Sequence, residues 1–379
     1  LDISIYEGSN KMLSKVLVSG GGRCNVTNVI SDPIELSAQY PRGKEFLQPV
    51  FQTFSTQDTK KWFEARGVPL KDEDDGRVFP ESNTSETIYN CLYRGAIKAG
   101  VVIHKGHRLS GFERNNDQWE LTINDEKVKT DYLILATGSN NKIYNLLDSK
   151  GIEIVEPLPS LFTFNAKKHN LIDMAGLSVK NGSARIKEIK GSEQSGPILV
   201  THWGYSAPAI LKLSAWQARN LAALGYRFHL LINWVGIDKN TLTQTFKDLS
   251  LSNPKDKVKS YKSLEIPKRL WLHLFEESSL PYYTNWSEIG KKGIARLVKN
   301  LCEYEVYIDG KSTFKEEFVT AGGIDLEQIN NSNMSVKNQT NLYAAGEVLN
   351  IDAITGGFNF QAAWSEAYLI AEDIASVVK

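Results

Sequence analysis

The sequence predicts an α/β fold whose main layer contains parallel strands and is interrupted by a β-rich insert and then a helical one. Three observations predict it. The chain opens on alternating Leu1, Ile3 and Ile5 that run into Glu7, and a glycine-rich loop follows closely. Two apolar runs far apart, at 133–135 and 342–345, each stop at a turn of small residues, as buried parallel strands do where they end at a ligand crevice. Between them the composition shifts at Pro157 and Pro159, and the pattern turns helical from Asp238.

Bulk properties limit the function classes. With 379 residues and 41% hydrophobic content, the chain can bury a core and divide into two or three domains. Lysine plus arginine (44) balances aspartate plus glutamate (44), so no overall field draws it to nucleic acid or an anionic membrane. A small-molecule substrate is the expected partner. Cys24, Cys91 and Cys302 are far apart, with no Cys-x-x-Cys pair. That argues against a disulfide framework, a metal site and a dithiol redox centre, and a reducing, cytoplasmic location is expected. No run approaches the ~18 apolar residues of a membrane span.

In chain order, the first strand ends at Glu7 and the loop SGGGRCNVTN covers 19–28. Helices are expected at 56–66 and 85–99. Strands follow in GVVIHKGHRL, QWELTIN and DYLILATGS, separated by Asn115, Asn116, Asn124 and Asp125, a small antiparallel excursion that returns to a buried parallel strand. SARIKEI, PILVTHW and YRFHLLINW read as strands of the β-rich insert, with a helix at 208–223. Residues 238–300 read as helical, broken at Asn253-Pro254 and Ile266-Pro267. In the last helix Ala363, Ala367, Ile370, Ala371 and Ile374 share one face.

Four motifs carry chemistry. An acid at the end of the second strand of a dinucleotide fold accepts hydrogen bonds from an adenosine ribose, a role open to Glu7, as is that of a solvated strand end. The successive glycines of SGGGRCN allow positive φ and expose N–H groups to a pyrophosphate or a flavin edge, with Arg23 adding charge; a flexible loop is the alternative. In LILATGS, Ala136, Thr137 and Gly138 let a diphosphate or adenosine lie against the main chain. NLYAAGEVLNID is the strongest signal: Gly346 permits close approach and Glu347 can hold a ribitol hydroxyl. The Gly356-Gly357 turn then opens the last helix, whose free N–H groups favour negative charge on a reduced flavin. Asn359 and Gln361 can meet the ring's pyrimidine edge.

Taken in order, SGGGRCNVTN, DDGRVFPES, LILATGS, THWGYSAPAIL, AGGI and YAAGEVLNIDAITGGFNFQAAW resemble the HI0933-like or BaiN-like family of NAD(P)/FAD-dependent oxidoreductases over essentially the whole chain. The resemblance implies an FAD-binding, Rossmann-like domain of the two-dinucleotide type, built from 1–157 and 313–379, with a β-rich insert at 158–236 and a helical insert at 237–312. It implies FAD contacts at Glu7, Gly21, Gly22, Arg23, Cys24, Asn25, the Leu109 backbone, Ala136, Thr137, Gly138, Gly346, Glu347, Gly356, Gly357, Asn359 and Gln361, and NAD(P)H as a transient donor. The family pattern begins with a strand and a GxGxxG turn about 20 residues before the acid at Glu7. An upstream strand, turn and helix are therefore expected in the gene, and the flavin pocket of the chain as it stands is expected to be empty or partly formed. The family's THxGxSGP has glycine where this chain has Ala207.

Flavin-mediated oxidoreduction is the expected activity, the cofactor carrying the hydride chemistry. His202 and Tyr205, in the polar turn THWGYSAP, are the candidate proton donors, against a purely structural histidine. Cys24 either touches the isoalloxazine or packs, and Arg77 binds a substrate carboxylate or pairs with Asp74 or Asp75. Two rivals remain: a nucleic-acid-modifying or -binding flavoprotein, for which Lys255, Lys257, Lys259, Lys262, Lys268 and Arg269 form a basic run, and a non-catalytic flavin-binding scaffold.

Overall fold

The computed structural model describes residues 1–312 and 319–378. The chain divides into two compact units, Leu1–Pro159 with Phe314–Lys379, and Ser160–Thr313. The boundary expected at residue 313 lies outside the described residues.

Among the described residues the first unit has two short parallel ladders and an isolated parallel bridge between Ile324 and Leu349. Ser4–Glu7 runs beside Val102–Lys105 with Glu7 opposite Lys105, and Leu342–Ala344 runs beside Leu133–Leu135. The antiparallel excursion is a three-stranded meander of Leu109–Asn115, Gln118–Ile123 and Glu126–Thr130. Its turns are made by Asn116, Asn124 and Asp125 at positive φ, a conformation that asparagine and aspartate tolerate best among residues with a side chain. Trp119 pins the meander by donating from its indole N–H to the Thr340 carbonyl at 3.1 Å.

Helices stand at Thr56–Glu64 and Ser85–Lys98. The first starts where it does because Ser55 and Asp58 form a reciprocal capping box. The last helix, Phe358–Val377, corrects one expectation. Its buried face is Phe358, Gln361, Ala362, Ser365, Glu366, Leu369, Ile370 and Ile374, while Ala367 and Ala371 are exposed. Alanine is too small to mark a face, and polar side chains occupy the core where they find hydrogen bonds.

The second unit is built on a seven-stranded sheet in the order Tyr304–Ile308, Phe228–Asn233, Ser178–Ile186, Gln194–Thr201, Gly204–Ser206, Thr163–Asn165, Gly310–Ser312. Helices Lys239–Ser252, Lys268–Glu277 and Gly290–Cys302 supply the helical part. Phe246, Tyr261 and Trp286 form an aromatic knot there, with ring centroids 5.1 Å apart for Phe246–Trp286 and 5.5 Å for Tyr261–Trp286.

Ala207 stands at φ 83° and ψ 172°, immediately before the helix Pro208–Trp216. That region is essentially reserved for glycine and costs another residue about 1–3 kcal/mol. Ala207→Gly is therefore expected to raise stability by about 1 kcal/mol, the relieved strain less the added chain entropy of glycine. Urea denaturation checks it; an unchanged or lower midpoint would show that the strain is not there.

Candidate functional site

The helix that begins at Ser14 breaks at Ser19, and Gly20, Gly21 and Gly22 follow at φ 56°, 67° and 82°. The Cys24 N–H returns to the Ser19 carbonyl at 3.0 Å and closes the loop. These glycines differ in what demands them. A Cβ on Gly20 would lie 2.9 Å from the Asn25 nitrogen and 3.0 Å from the Phe79 ring, whereas Gly21 and Gly22 face open space.

Cys24 is wholly buried among Val16, Val26, Phe63, Val68 and Ile88, and burial pushes its thiol up to about 11. Of its two readings, the packed side chain is the one realised. Arg23 lies 3.9 Å over the Phe79 ring and 2.6 Å from the Glu73 carboxylate, so the charge expected to face a phosphate is already paired. Arg77 pairs with Asp75 at 2.8 Å and Glu73 at 3.3 Å.

The two ends of the chain meet at this loop. In the orientation its surroundings satisfy, the Asn25 side-chain oxygen accepts from the Gly357 N–H at 2.9 Å while its nitrogen donates to the Thr27 and Val78 carbonyls. Asn28 donates to the Gly356 carbonyl at 2.9 Å, and the Trp364 indole donates to the Val26 carbonyl at 3.0 Å. A Cβ on Gly357 would lie 2.4 Å from the Thr27 carbonyl oxygen, so this turn needs glycine for its own packing.

Gln361 and Asn359 are committed within the protein. The buried Gln361 carboxamide accepts from Thr27 at 2.6 Å and Thr59 at 2.9 Å and donates to Ser365 at 2.9 Å. Asn359 brackets Ala353, accepting from its N–H at 3.0 Å and donating to its carbonyl at 3.3 Å. The sequence placed both at a ring edge; here their side chains brace the turn.

The Ala345 N–H donates to the Leu135 carbonyl at 3.0 Å, which sets the turn Ala136, Thr137, Gly138 beside Gly346 and Glu347. Gly138 and Gly346 both have positive φ and open space where a Cβ would stand. Glu347 is partly buried, 3.9 Å from the Lys15 ammonium. Burial raises its carboxyl above the usual range, Lys15 opposes that, and Asp352 adds to it. Glu7 ends the other parallel ladder. One of its carboxylate oxygens accepts from the Ser9 N–H at 2.7 Å, and its carbonyl accepts from His107 at 2.9 Å, close to Leu109 at the start of the meander.

His202 and Tyr205 do not form a pair. His202 is exposed on the tight turn after Gln194–Thr201. Tyr205 is fully buried with no hydrogen-bond partner for its hydroxyl, and burial holds that hydroxyl well above its ordinary value, so it is a poor acid.

Three groups escaped sequence reasoning, two of them fully buried. The Glu366 carboxyl, wholly inside, accepts from the Gly346 N–H at 2.5 Å, and burial pushes it up to about 7. Arg42 holds the buried Asp352 carboxylate through two parallel hydrogen bonds. A charged residue in an amphipathic helix or a loop reads as solvated, so only the long-range pairing could have disclosed them. Among the described residues no metal-binding cluster forms, and no helix is long and apolar enough to cross a membrane.

Open, positive-φ glycines at the ends of parallel strands define a protein of the Rossmann-like, nucleotide-binding class. The chain belongs to the family described as HI0933-like protein Rossmann domain, which matches residues 1–373; it is a family of FAD-dependent oxidoreductases. It is 27% identical to a ribosomal RNA dihydrouridine synthase of Haemophilus influenzae, covering 98% of this chain and 92% of that protein. A protein of the same name from Escherichia coli is 24% identical over 98% and 92%. A 3-dehydro-bile acid delta(4,6)-reductase of Clostridium scindens is 23% identical over 97% and 91%.

Proposed function

We propose that this chain is an FAD-dependent reductase that saturates a carbon–carbon double bond conjugated to a carbonyl, with NAD(P)H as electron donor. The names of the relatives motivate the reaction class. Making dihydrouridine saturates a ring double bond next to a carbonyl, and a delta(4,6)-reductase acting on a 3-dehydro compound removes a double bond in conjugation with a ketone.

The observation that carries the cofactor assignment is the contrast among glycines. Gly21, Gly22, Gly138 and Gly346 have positive φ and nothing within 4 Å of a Cβ position, while Gly20, Gly356 and Gly357 are filled by their own neighbours. Surface turns also hold open glycines, but these four lie in one loop and at the ends of two paired parallel strands. Backbone left bare there lets N–H groups approach a diphosphate or a ring edge. The residues present therefore fit FAD.

Glu7 holds the adenosine ribose and Glu347 a ribitol hydroxyl. The amino end of Phe358–Val377 presents free N–H groups to negative charge, and Asn25, Asn359 and Gln361 fix the turn that aims them. When bound, the isoalloxazine supplies the hydride. Of the two candidate proton donors, Tyr205 is too deeply buried and too weak an acid for the role, and His202 is the exposed one. The site residues and the donor are parts of this reading.

Glu347→Ala is expected to weaken FAD binding about 10- to 150-fold, the loss of a charge-assisted hydrogen bond of ~1.5–3 kcal/mol, with the melting temperature nearly unchanged. Titration of the apoprotein with FAD measures it, and wild-type affinity would remove Glu347 from the site. The function is tested by reducing the reconstituted protein anaerobically and adding an enone steroid or a uridine oligonucleotide. Reoxidation of the flavin with a saturated product supports the reading. Recovery of FMN alone, or reoxidation by oxygen but by neither acceptor, overturns it.

A further inference from the structure

The basic run of the helical part becomes more specific once folded. The segment 255–262 carries Lys255, Lys257, Lys259 and Lys262 against a single acid, Asp256, and it lies alongside the segment 282–285. The Val258 N–H donates to the Thr284 carbonyl at 3.0 Å, and Lys257 bridges to Asn285. This places two adjacent exposed aromatic rings among the lysines. Tyr282 is 56% exposed and Tyr283 71%, and their centroids are 4.9 Å apart with the planes nearly perpendicular.

The lysines are arranged around these rings. The Lys259 ammonium lies 3.0 Å from the Tyr282 ring centroid, and Lys257 donates to the Tyr283 carbonyl at 2.7 Å. Beside Tyr283 a cleft of about 440 Å³ is lined in part by Pro281, Ile289 and Arg296. Glu288, on the lining of the cleft, accepts from the Asn285 N–H at 3.0 Å, and Asp256, within the lysine segment, accepts from the Asn253 amide at 3.2 Å. A solvated face needs charge alone. Large rings held in water by ammonium groups fit instead a ligand that has flat faces and phosphates together.

We infer that the surface formed by Lys257, Lys259, Tyr282 and Tyr283 binds single-stranded RNA, bases stacking on the tyrosines and phosphates meeting the lysines. The inference rests on the reductase reading and gives its substrate class, with the reducible ring carried on an RNA. Stacking on an exposed aromatic is sequence-tolerant, and phosphate contacts make binding salt-dependent.

Fluorescence anisotropy of a labelled oligouridylate on the full chain tests it without reading the flavin, so RNA binding and flavin reoxidation can fail separately. Wild-type binding should weaken steeply with salt. Tyr282→Ala with Tyr283→Ala should weaken it by about tenfold or more at fixed salt without moving the melting temperature. Lys257→Gln with Lys259→Gln should lower the log–log salt slope by about 1 to 2. Because Lys257 also braces its loop, Lys255→Gln with Lys262→Gln serves as a second charge variant and should lower the slope likewise. Absence of oligouridylate binding at low salt, or wild-type binding by the tyrosine variant, overturns the proposal. So does binding only to phosphatidylglycerol vesicles, which would assign the patch to a membrane surface.

Discussion

Asp352→Ala is expected to lower the unfolding free energy by about 3–5 kcal/mol, because it removes the buried carboxylate that Arg42 holds through two hydrogen bonds. The pair is deeply placed: the Asp352 side chain is fully buried and that of Arg42 is 13% exposed. Two parallel hydrogen bonds join them, the geometry in which arginine and carboxylate bind best. Replacing both partners, Arg42→Met with Asp352→Leu, should cost far less than the single change, because both charges are then removed together. Urea denaturation of the two single variants and the double one gives the coupling. If the losses simply add, Arg42 and Asp352 are not energetically coupled.

Glu366→Gln should make stability less sensitive to pH. Burial pushes this carboxyl from its ordinary value of 4.5 to about 7, and the Gly346 N–H only partly opposes it. The folded state thus keeps a proton that the unfolded chain has released. Stability from this group is full below about pH 4.5, falls as pH rises to 7, and levels off above, a change of up to ~3 kcal/mol at 1.36 kcal/mol per unit. Glutamine keeps an acceptor for Gly346 and carries no charge. Comparing unfolding at pH 5 and pH 8 in both proteins isolates the effect, and an equal fall in both would clear Glu366 of responsibility.

The fold class was legible because it is written in local signals. The turn residues Asn116, Asn124 and Asp125 and the helix starts near Thr56 and Ser85 all appear in place, since each depends on chemistry within a few residues. The site was legible in its backbone and less so in its side chains. Glycine runs announce positive φ, but not whether the freed space faces a ligand or a neighbour, and so Gly21 and Gly357 read alike. Gln361 and Glu366 were misjudged or missed for the same reason: their partners, Thr27 and Gly346, are settled by tertiary packing. Ala207 was noticed as a departure, and its backbone angles supplied the physical meaning.

The joining of the chain's two ends bears on how the protein is made. Thr27 waits for Gln361, 334 residues later, and Val26 for Trp364, 338 residues later. At roughly 5–20 residues per second a ribosome needs some tens of seconds to span that interval. Throughout it Val26, Phe63 and the glycine loop have no final helix to close over them, whereas the Ser160–Thr313 unit draws only on its own stretch of chain and can mature while synthesis continues. Contacts of such sequence separation are slow to form and leave apolar surface open to aggregation meanwhile. The apolar surface around Val26 and Phe63 thus stays open until Phe358–Val377 has been made.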